Sequence, residues 1–238
     1  MHTLDKRIQE NRGDKIKISV VGVGATGSHL IYNLAAIYSV MNQIDGRLIH
    51  VSAFDYDDIE LHNIGKQGFF GPDVGKNKAV ALISRINRSY GLDWDCNPVK
   101  YEYSYDRVDF LITCVDSWEQ RKLIWENIKP TRGHSPKYIY WMDIGNGKND
   151  GQIILSHYKY KKKMPSIIEH AKGSEISEND EKISCSMIES LNNQGMFINK
   201  TMATMAADLI FKLIYIGKID YRGVIVNMDK SIMMPIML

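Results

Sequence analysis

The stretch Ile18–Ser28, ISVVGVGATGS, decides how the chain is read. An apolar run (Ile18, Val20, Val21) breaks into Gly22-Val23-Gly24-Ala25-Thr26-Gly27, and a helical pattern then opens with His29, Leu30, Ile31, Leu34, Ala35, Ile37 and Tyr38. Strand, tight glycine turn and helix form the context that gives G-x-G-x-x-G a mechanism. Gly22 permits the turn, Gly24 allows close approach of backbone to a phosphate, and Gly27 lets helix pack on strand. The exposed N–H groups and positive dipole end of the helix then favour an anion. Glycine turns also arise for steric reasons alone, so nucleotide binding needs support from elsewhere in the chain.

Outward from that stretch, strands and helices alternate. Residues 47–54 read as a second strand ending at Asp55-Tyr56-Asp57, followed by a polar, irregular stretch to Pro72. Asp73-Val74-Gly75 leads into a helix with Ala79, Val80, Leu82, Ile83 and Ile86 on its apolar face. Residues 94–103 read as a strand that Pro98 marks as an edge. Residues 108–115 read as a buried parallel strand, stopped by Asp116-Ser117 at a helix N-cap. The helix that follows carries Leu123, Ile124 and Ile128, and strands are expected at 137–144 and 152–156. From His157 to Glu181 a basic run gives way to an acidic one, a long connection for a domain of this kind. Residues 196–216 read as a long apolar helix stopped at Gly217, a core element or the seam of a homodimer, and residues 221–227 and 231–238 as a closing hairpin. The fold class is therefore α/β and Rossmann-like: a mostly parallel sheet with helices on both faces, plus antiparallel strands toward the C-terminus. A single domain over 1–238 is expected, its nucleotide-binding half at about 15–150 and the crossover loop, cysteine segment, helix and hairpin at about 151–238.

Composition narrows the function. A 44% hydrophobic share supports a proper core, and a net charge of +2 offers no global attraction for nucleic acid. Cys96, Cys114 and Cys185 form no C-x-x-C pair, so neither a disulfide framework nor a zinc ribbon is signalled. Residues 1–17 are charged and no window is apolar enough to span a bilayer, so no membrane partner is expected and the chain reads as cytoplasmic.

Asp55 sits at the carboxyl end of the second strand, where this fold uses an acid to accept hydrogen bonds from a ribose. Asp57, Asn63, Lys66 and Gln67 follow it, Lys78 opens the next helix, and Asp116 ends a neighbouring strand. Ligands bind outside the carboxyl ends of the strands, so these groups are expected to converge on nucleotide phosphates.

The run D-x-D-x-I-E-x-x-N-x-x-K-Q from Asp55, followed by D-V-G-K-x-K-A from Asp73, resembles the adenylation core of the ThiF/MoeB/HesA family, relatives of the ubiquitin-activating enzymes. CVDSWEQR, YWMDIGN and the segment from Ile183 to Leu213 extend the resemblance to about Gly217, in particular to the ThiF-type proteins of bacterial plasmid-borne PRTRC systems. The resemblance implies that ATP is bound by Gly22, Gly24, Ala25, Thr26, Gly27, Asp55, Asp57, Asn63, Lys66, Gln67, Lys78 and Asp116. Within that set Asp55 would hold the ribose, Asn63 the phosphates, and Asp116 a Mg²⁺ ion. Lys66 and Lys78 would act catalytically by neutralising the triphosphate as a carboxylate attacks its α-phosphate. Cys185 would accept the activated acyl group as a thioester; the plain alternative is a small packed residue at a helix start. Cys96 and Cys114 read as structural.

Two departures from the family stand out. Lys66 occupies a place where the family has arginine, keeping the charge but losing the two-pronged donor. The family also draws an arginine from the partner subunit's N-terminal segment, for which only Arg7 or Arg12 could stand in. The cysteine pairs that hold structural zinc in many relatives are absent. On their own, Asp116 could merely cap its helix, Lys76 reads as a solvated face, and neither His62 nor His170 has metal-ligand spacing. The resulting expectation is ATP-dependent adenylation of the C-terminal carboxylate of a small ubiquitin-like or sulfur-carrier protein ending in glycine. A homodimer, and onward transfer to a conjugating enzyme, go with it. The alternatives are an NAD(P)-dependent oxidoreductase and a non-catalytic nucleotide- or partner-binding module.

Overall fold

In the computed structural model, residues 1–10, 14–44, 48–101, 107–129, 137–160, 162–171 and 195–238 are described. The elements in chain order are β1 (His2–Thr3), α1 (Lys6–Glu10), β2 (Ile16–Val21), α2 (Ala25–Ile44), β3 (Ile49–Phe54), α3 (Lys78–Tyr90), β4 (Asp95–Asn97) and β5 (Val108–Thr113). They continue with α4 (Trp118–Ile128), β6 (Tyr138–Asn146), β7 (Asp150–His157), α5 (Ile167–Ala171), α6 (Ile198–Phe211), β8 (Lys218–Ile219), β9 (Tyr221–Asn227) and β10 (Ile232–Met237).

Eight of the strands form one sheet in the order β10-β9-β7-β6-β5-β2-β3-β4. The half from β4 to β6 is parallel, and β7, β9 and β10 extend it antiparallel. Successive side chains of a strand face opposite sides, so the sheet carries two cores. Ile16, Ile18 and Val20 of β2, with Val51 of β3 and Met142 of β6, pack under α2, α3 and α6. Val21, Leu111, Trp141 and Ile154 face the other way, against Ile124 and Ile128 of α4 and Ile167 of α5. The α/β class with helices on both faces and antiparallel strands toward the C-terminus is therefore what the chain adopts.

Some boundaries differ from the sequence reading. β4 ends at Asn97 instead of running to Tyr103, because Pro98 has no N–H to continue the ladder. The C-terminal helix starts at Ile198, and its last turn, Lys212–Ile216, is a π-turn that stops at Gly217 in the left-handed region. The charged N-terminus is structured: β1 pairs with β8, while Leu4 and Ile8 enter the first core. No described helix is long and apolar enough to cross a membrane.

The N-terminal segment is fastened by a buried polar cluster. His157 Nε2 lies 3.0 Å from Asp5 Oδ2, its Nδ1 accepts from the Lys159 N–H at 3.1 Å, and the Asp5 N–H donates to the Tyr140 hydroxyl at 2.9 Å. With Nδ1 occupied as an acceptor, the imidazole is neutral and donates from Nε2 to Asp5. Burial outweighs the attraction of Asp5 and lowers the His157 pKa to about 4. The unfolded chain takes up a proton here below about pH 6.5 that the folded chain refuses, so this contribution is present above that pH and is lost as pH falls toward 4. Urea unfolding at pH 7 and pH 5 is therefore expected to show an acid-side loss that is smaller by about 2 kcal/mol in His157→Gln than in the parent. Equal losses in both proteins would contradict the neutral buried histidine.

Candidate functional site

The strand order reverses between β2 and β5, since β3 lies on one side of β2 and β5 on the other. A crevice opens at such a switch point, outside the carboxyl ends of the strands. The glycine turn between β2 and α2 forms its floor. Gly22 has φ +89°, and a Cβ there would come within 2.6 Å of the Cys114 carbonyl oxygen at the end of β5. A Cβ on Gly27 would come within 1.9 Å of the Gly22 carbonyl oxygen. Gly24 differs: an added Cβ would meet nothing within 4 Å, so no protein contact requires glycine there. Two of the three glycines serve packing, and the third has open space where a side chain would stand.

Asp55 ties this turn to the end of β3. Its Oδ2 accepts from the Val23 N–H at 2.6 Å and its Oδ1 from the Asp57 N–H at 2.9 Å. Burial pushes the Asp55 carboxyl up, against the pull of those N–H groups and of Lys78. Asn77, which the sequence reading passed over, zips the 55–57 segment to α3. Its Nδ2 lies 3.0 Å from the Asp55 carbonyl oxygen and 3.1 Å from that of Asp57, while its Oδ1 caps α3 by accepting from the Val80 N–H. Lys78 follows at the first helical position, and its Nζ donates to Asp57 Oδ2 at 3.0 Å. Lys76 is solvated, 3.9 Å from Asp73.

The polar stretch after β3 is ordered around its own hydrogen bonds. Asn63 is buried, and its Oδ1 accepts from the Glu60 N–H at 2.9 Å, so a ligand contact would fall to its Nδ2. Lys66 is buried, and burial lowers its pKa against the attraction of Asp116. Gln67 Oε1 is a buried oxygen with no hydrogen-bond partner. Arg85 of α3 fastens the loop from behind: it pairs with Asp73, donates to the Gly68 carbonyl at 3.0 Å and to the Tyr32 hydroxyl at 2.7 Å, and covers the Phe70 ring. Neither Asp73 nor Arg85 was singled out from the sequence as a pair, because only the fold brings them together.

Across the crevice, Ser117 caps α4, its Oγ accepting from the Gln120 N–H at 3.1 Å. The alternative in which Asp116 caps that helix is thereby removed. The Asp116 side chain reaches solvent in the concave wall, where surrounding protein raises its pKa against the pull of Arg121, Lys78 and Lys66. Asp116 is thus within electrostatic reach of Asp57, Lys66 and Lys78. Thr26 serves a different purpose. Its hydroxyl lies 2.9 Å from Asn199 Oδ1 and 3.1 Å from Asn146 Oδ1, joining the glycine turn to α6 and to the end of β6. Ala25 is the first residue of α2.

Arg7 is not at this crevice's rim; it forms a two-pronged pair with Asp5 and lies over the Tyr158 ring. Cys185 and Arg12 lie outside the described residues. Burial raises the Cys114 thiol far above its usual range, in keeping with a structural role. Among the described residues no group of three or more His, Cys, Asp or Glu could hold a metal. Asp116 offers one carboxylate beside Lys66 and Lys78, so a Mg²⁺ ion there would need its further oxygen ligands from a bound nucleotide's phosphates.

The ThiF family model matches residues 5–216 of the chain. No curated protein matches the sequence. Among solved structures, PaaA is similar with a TM-score of 0.63 and 18% identity, over 97% of this chain and 67% of that one. E. coli MccB solved with AMPCPP and MccA has a TM-score of 0.63 and 17% identity, over 97% and 65%. E. coli MccB solved with ATP has a TM-score of 0.62 and 16% identity, over the same shares. The chain spans about two thirds of the length of these structures, and at these identities the likeness is one of fold.

The glycine turn separates packing from ligand space by substitution. Gly27→Ala and Gly22→Ala are expected to lose about 3 kcal/mol or more of stability, whereas Gly24→Ala should change it by less than about 1 kcal/mol. Thermal unfolding of the three variants checks this.

Proposed function

The chain belongs to the ThiF family, and on that premise we propose that it uses ATP to adenylate a substrate carboxylate, giving an acyl-adenylate and pyrophosphate. The reading is supported by Lys78, which opens α3 and is held by Asp57, and by the electrostatic pull of Lys78 and Lys66 on Asp116 at the switch point of the sheet. A carboxylate attacking the α-phosphorus of ATP brings two anions together, and positioned cations offset the repulsion as the bond to pyrophosphate breaks. Lys78, held by Asp57, and Lys66 supply that charge. In this proposal Asp55 would accept from the ribose, Gly24 would let backbone approach the phosphates, and the Asn63 and Gln67 amides would meet the nucleotide as well. Mg²⁺ would be held by Asp116 and phosphate oxygens, adding positive charge where negative charge develops.

The finer part of the proposal concerns the substrate. MccB has been solved both with ATP and with MccA, which supports a fold that brings a nucleotide together with a second reactant. The partner proposed here is a small ubiquitin-like or sulfur-carrier protein with a C-terminal glycine. A thioester on Cys185 would follow: its thiolate attacks the acyl carbon, and AMP leaves. Met233, Met234 and Met237 of β10 are exposed, and a homodimer that covers them is part of the proposal.

ATP–pyrophosphate exchange tests the reading. Exchange is expected to need both Mg²⁺ and a glycine-ended carrier, and to fall about 10²- to 10³-fold in Lys78→Met. Cys185→Ser should keep exchange and lose any thiol-sensitive covalent adduct. NAD binding without exchange would favour an oxidoreductase, and nucleotide binding without either activity a binding module.

A further inference from the structure

Behind the crevice lies a buried ion pair that the adenylation reading does not use. Arg121, in the first turns of α4, and Asp143, on β6, are both buried. Arg121 Nε lies 3.0 Å from each carboxylate oxygen of Asp143. The remaining guanidinium nitrogens reach two main-chain carbonyls, Asp116 at 3.5 Å on the β5–α4 turn and Ile144 at 3.3 Å on β6. Asp143 Oδ1 also accepts from the Thr113 hydroxyl at 2.6 Å, and that hydroxyl in turn accepts from Trp141 Nε1 at 3.0 Å. Trp141 stacks on Trp125 of α4, so the carboxylate's own support is packed on both sides. Gly145 keeps the guanidinium's place open, since a Cβ there would lie 3.3 Å from Arg121 Nη2.

Buried ion pairs are poor sources of stability, because desolvating two charges cancels much of their attraction. What this pair does have is a place: it spans the ends of β5 and β6, and its guanidinium lies 3.5 Å from the carbonyl of Asp116, whose carboxylate is within electrostatic reach of Lys78 and Lys66. We propose that Arg121 and Asp143 are positioning residues that hold the β5–α4 turn, so that the Asp116 carboxylate is presented to the crevice in one orientation. Neither residue touches the nucleotide. Ser117 helps by taking over the cap of α4, which leaves Asp116 with no role in starting that helix. The inference rests on the adenylation reading for what Asp116 receives, but the presentation of Asp116 is a property of the ligand-free protein.

The test replaces the pair as a unit, Arg121→Met with Asp143→Leu, so that no buried charge is stranded, and compares it with Arg121→Lys. In ligand-free protein, hydrogen exchange across residues 114–118 is expected to quicken by about tenfold or more in the double variant, with exchange in α3 unchanged. The Mg²⁺ concentration giving half-maximal ATP binding should rise about tenfold, while ATP binding without Mg²⁺ moves less than twofold. Arg121→Lys should fall between the parent and the double variant. If the double variant does not fold, Arg121→Lys carries the same two readouts. Unchanged exchange at 114–118, or unchanged Mg²⁺ dependence in protein that binds ATP, overturns the positioning role. If exchange quickens while the parent protein binds no ATP, the adenylation reading fails and the positioning of the turn stands.

Discussion

The close contact between the glycine turn and the end of β5 is the constraint on which the rest of the site depends. Gly22 turns with a positive φ directly beside the Cys114 carbonyl, and Gly27 lets the first turn of α2 fold back over the Gly22 carbonyl. A side chain at Gly22 would push the turn away from the end of β5, and one at Gly27 would push α2 away from the turn itself; either would disturb the floor of the crevice. Gly24 has no such neighbour. The motif thus combines two steric requirements with one place left open, which is why a glycine pattern alone does not establish a ligand and the surrounding groups must.

Those groups are assembled by short polar links, with Ile59 and Phe69 of the same loop buried in the core. Asp55 fastens the turn to β3 through the Val23 N–H, Asn77 joins the end of β3 to the start of α3, and Arg85 anchors the intervening loop from behind through Asp73 and the Gly68 carbonyl. Each link satisfies main-chain groups that irregular backbone would otherwise leave without partners. A long polar loop whose only regular structure is two single 3-10 turns, Leu61–Asn63 and Gly71–Asp73, can therefore carry Asn63, Lys66 and Gln67 in fixed places.

Much of this was legible in the sequence, for reasons that differ by element. The parallel strands and α2 announce themselves by apolar runs flanking a glycine turn, while Asn63, Lys66, Lys78 and Asp116 enter as candidates through the family resemblance of the runs that hold them. What was not legible depends on contacts distant in sequence. The N-terminal segment reads as charged and featureless, yet Asp5 meets a histidine 152 residues away. The Arg121–Asp143 pair lay within quoted motifs, but its carbonyl contacts need β5 and β6 to be side by side. The assignment of the α4 cap was ambiguous between two adjacent cap-forming residues, and only geometry decides it for Ser117. β4 was overextended because apolar alternation continues past Pro98 while the ladder cannot.

The two ion pairs around Asp116 differ in a way that bears on function. Lys78–Asp57 has one partner half exposed, with the Asp57 side chain at 50% of its full accessibility. Such a pair is worth little, so a polyphosphate entering the crevice can compete for the lysine at small cost. Arg121–Asp143 is closed off on both sides, with side-chain accessibilities of 9% and 3%, and separating it would strand a charge in the interior. The crevice therefore has a replaceable cation in front and a fixed one behind. That division lets the front respond to an anion while the wall carrying Asp116 stays where the strands put it.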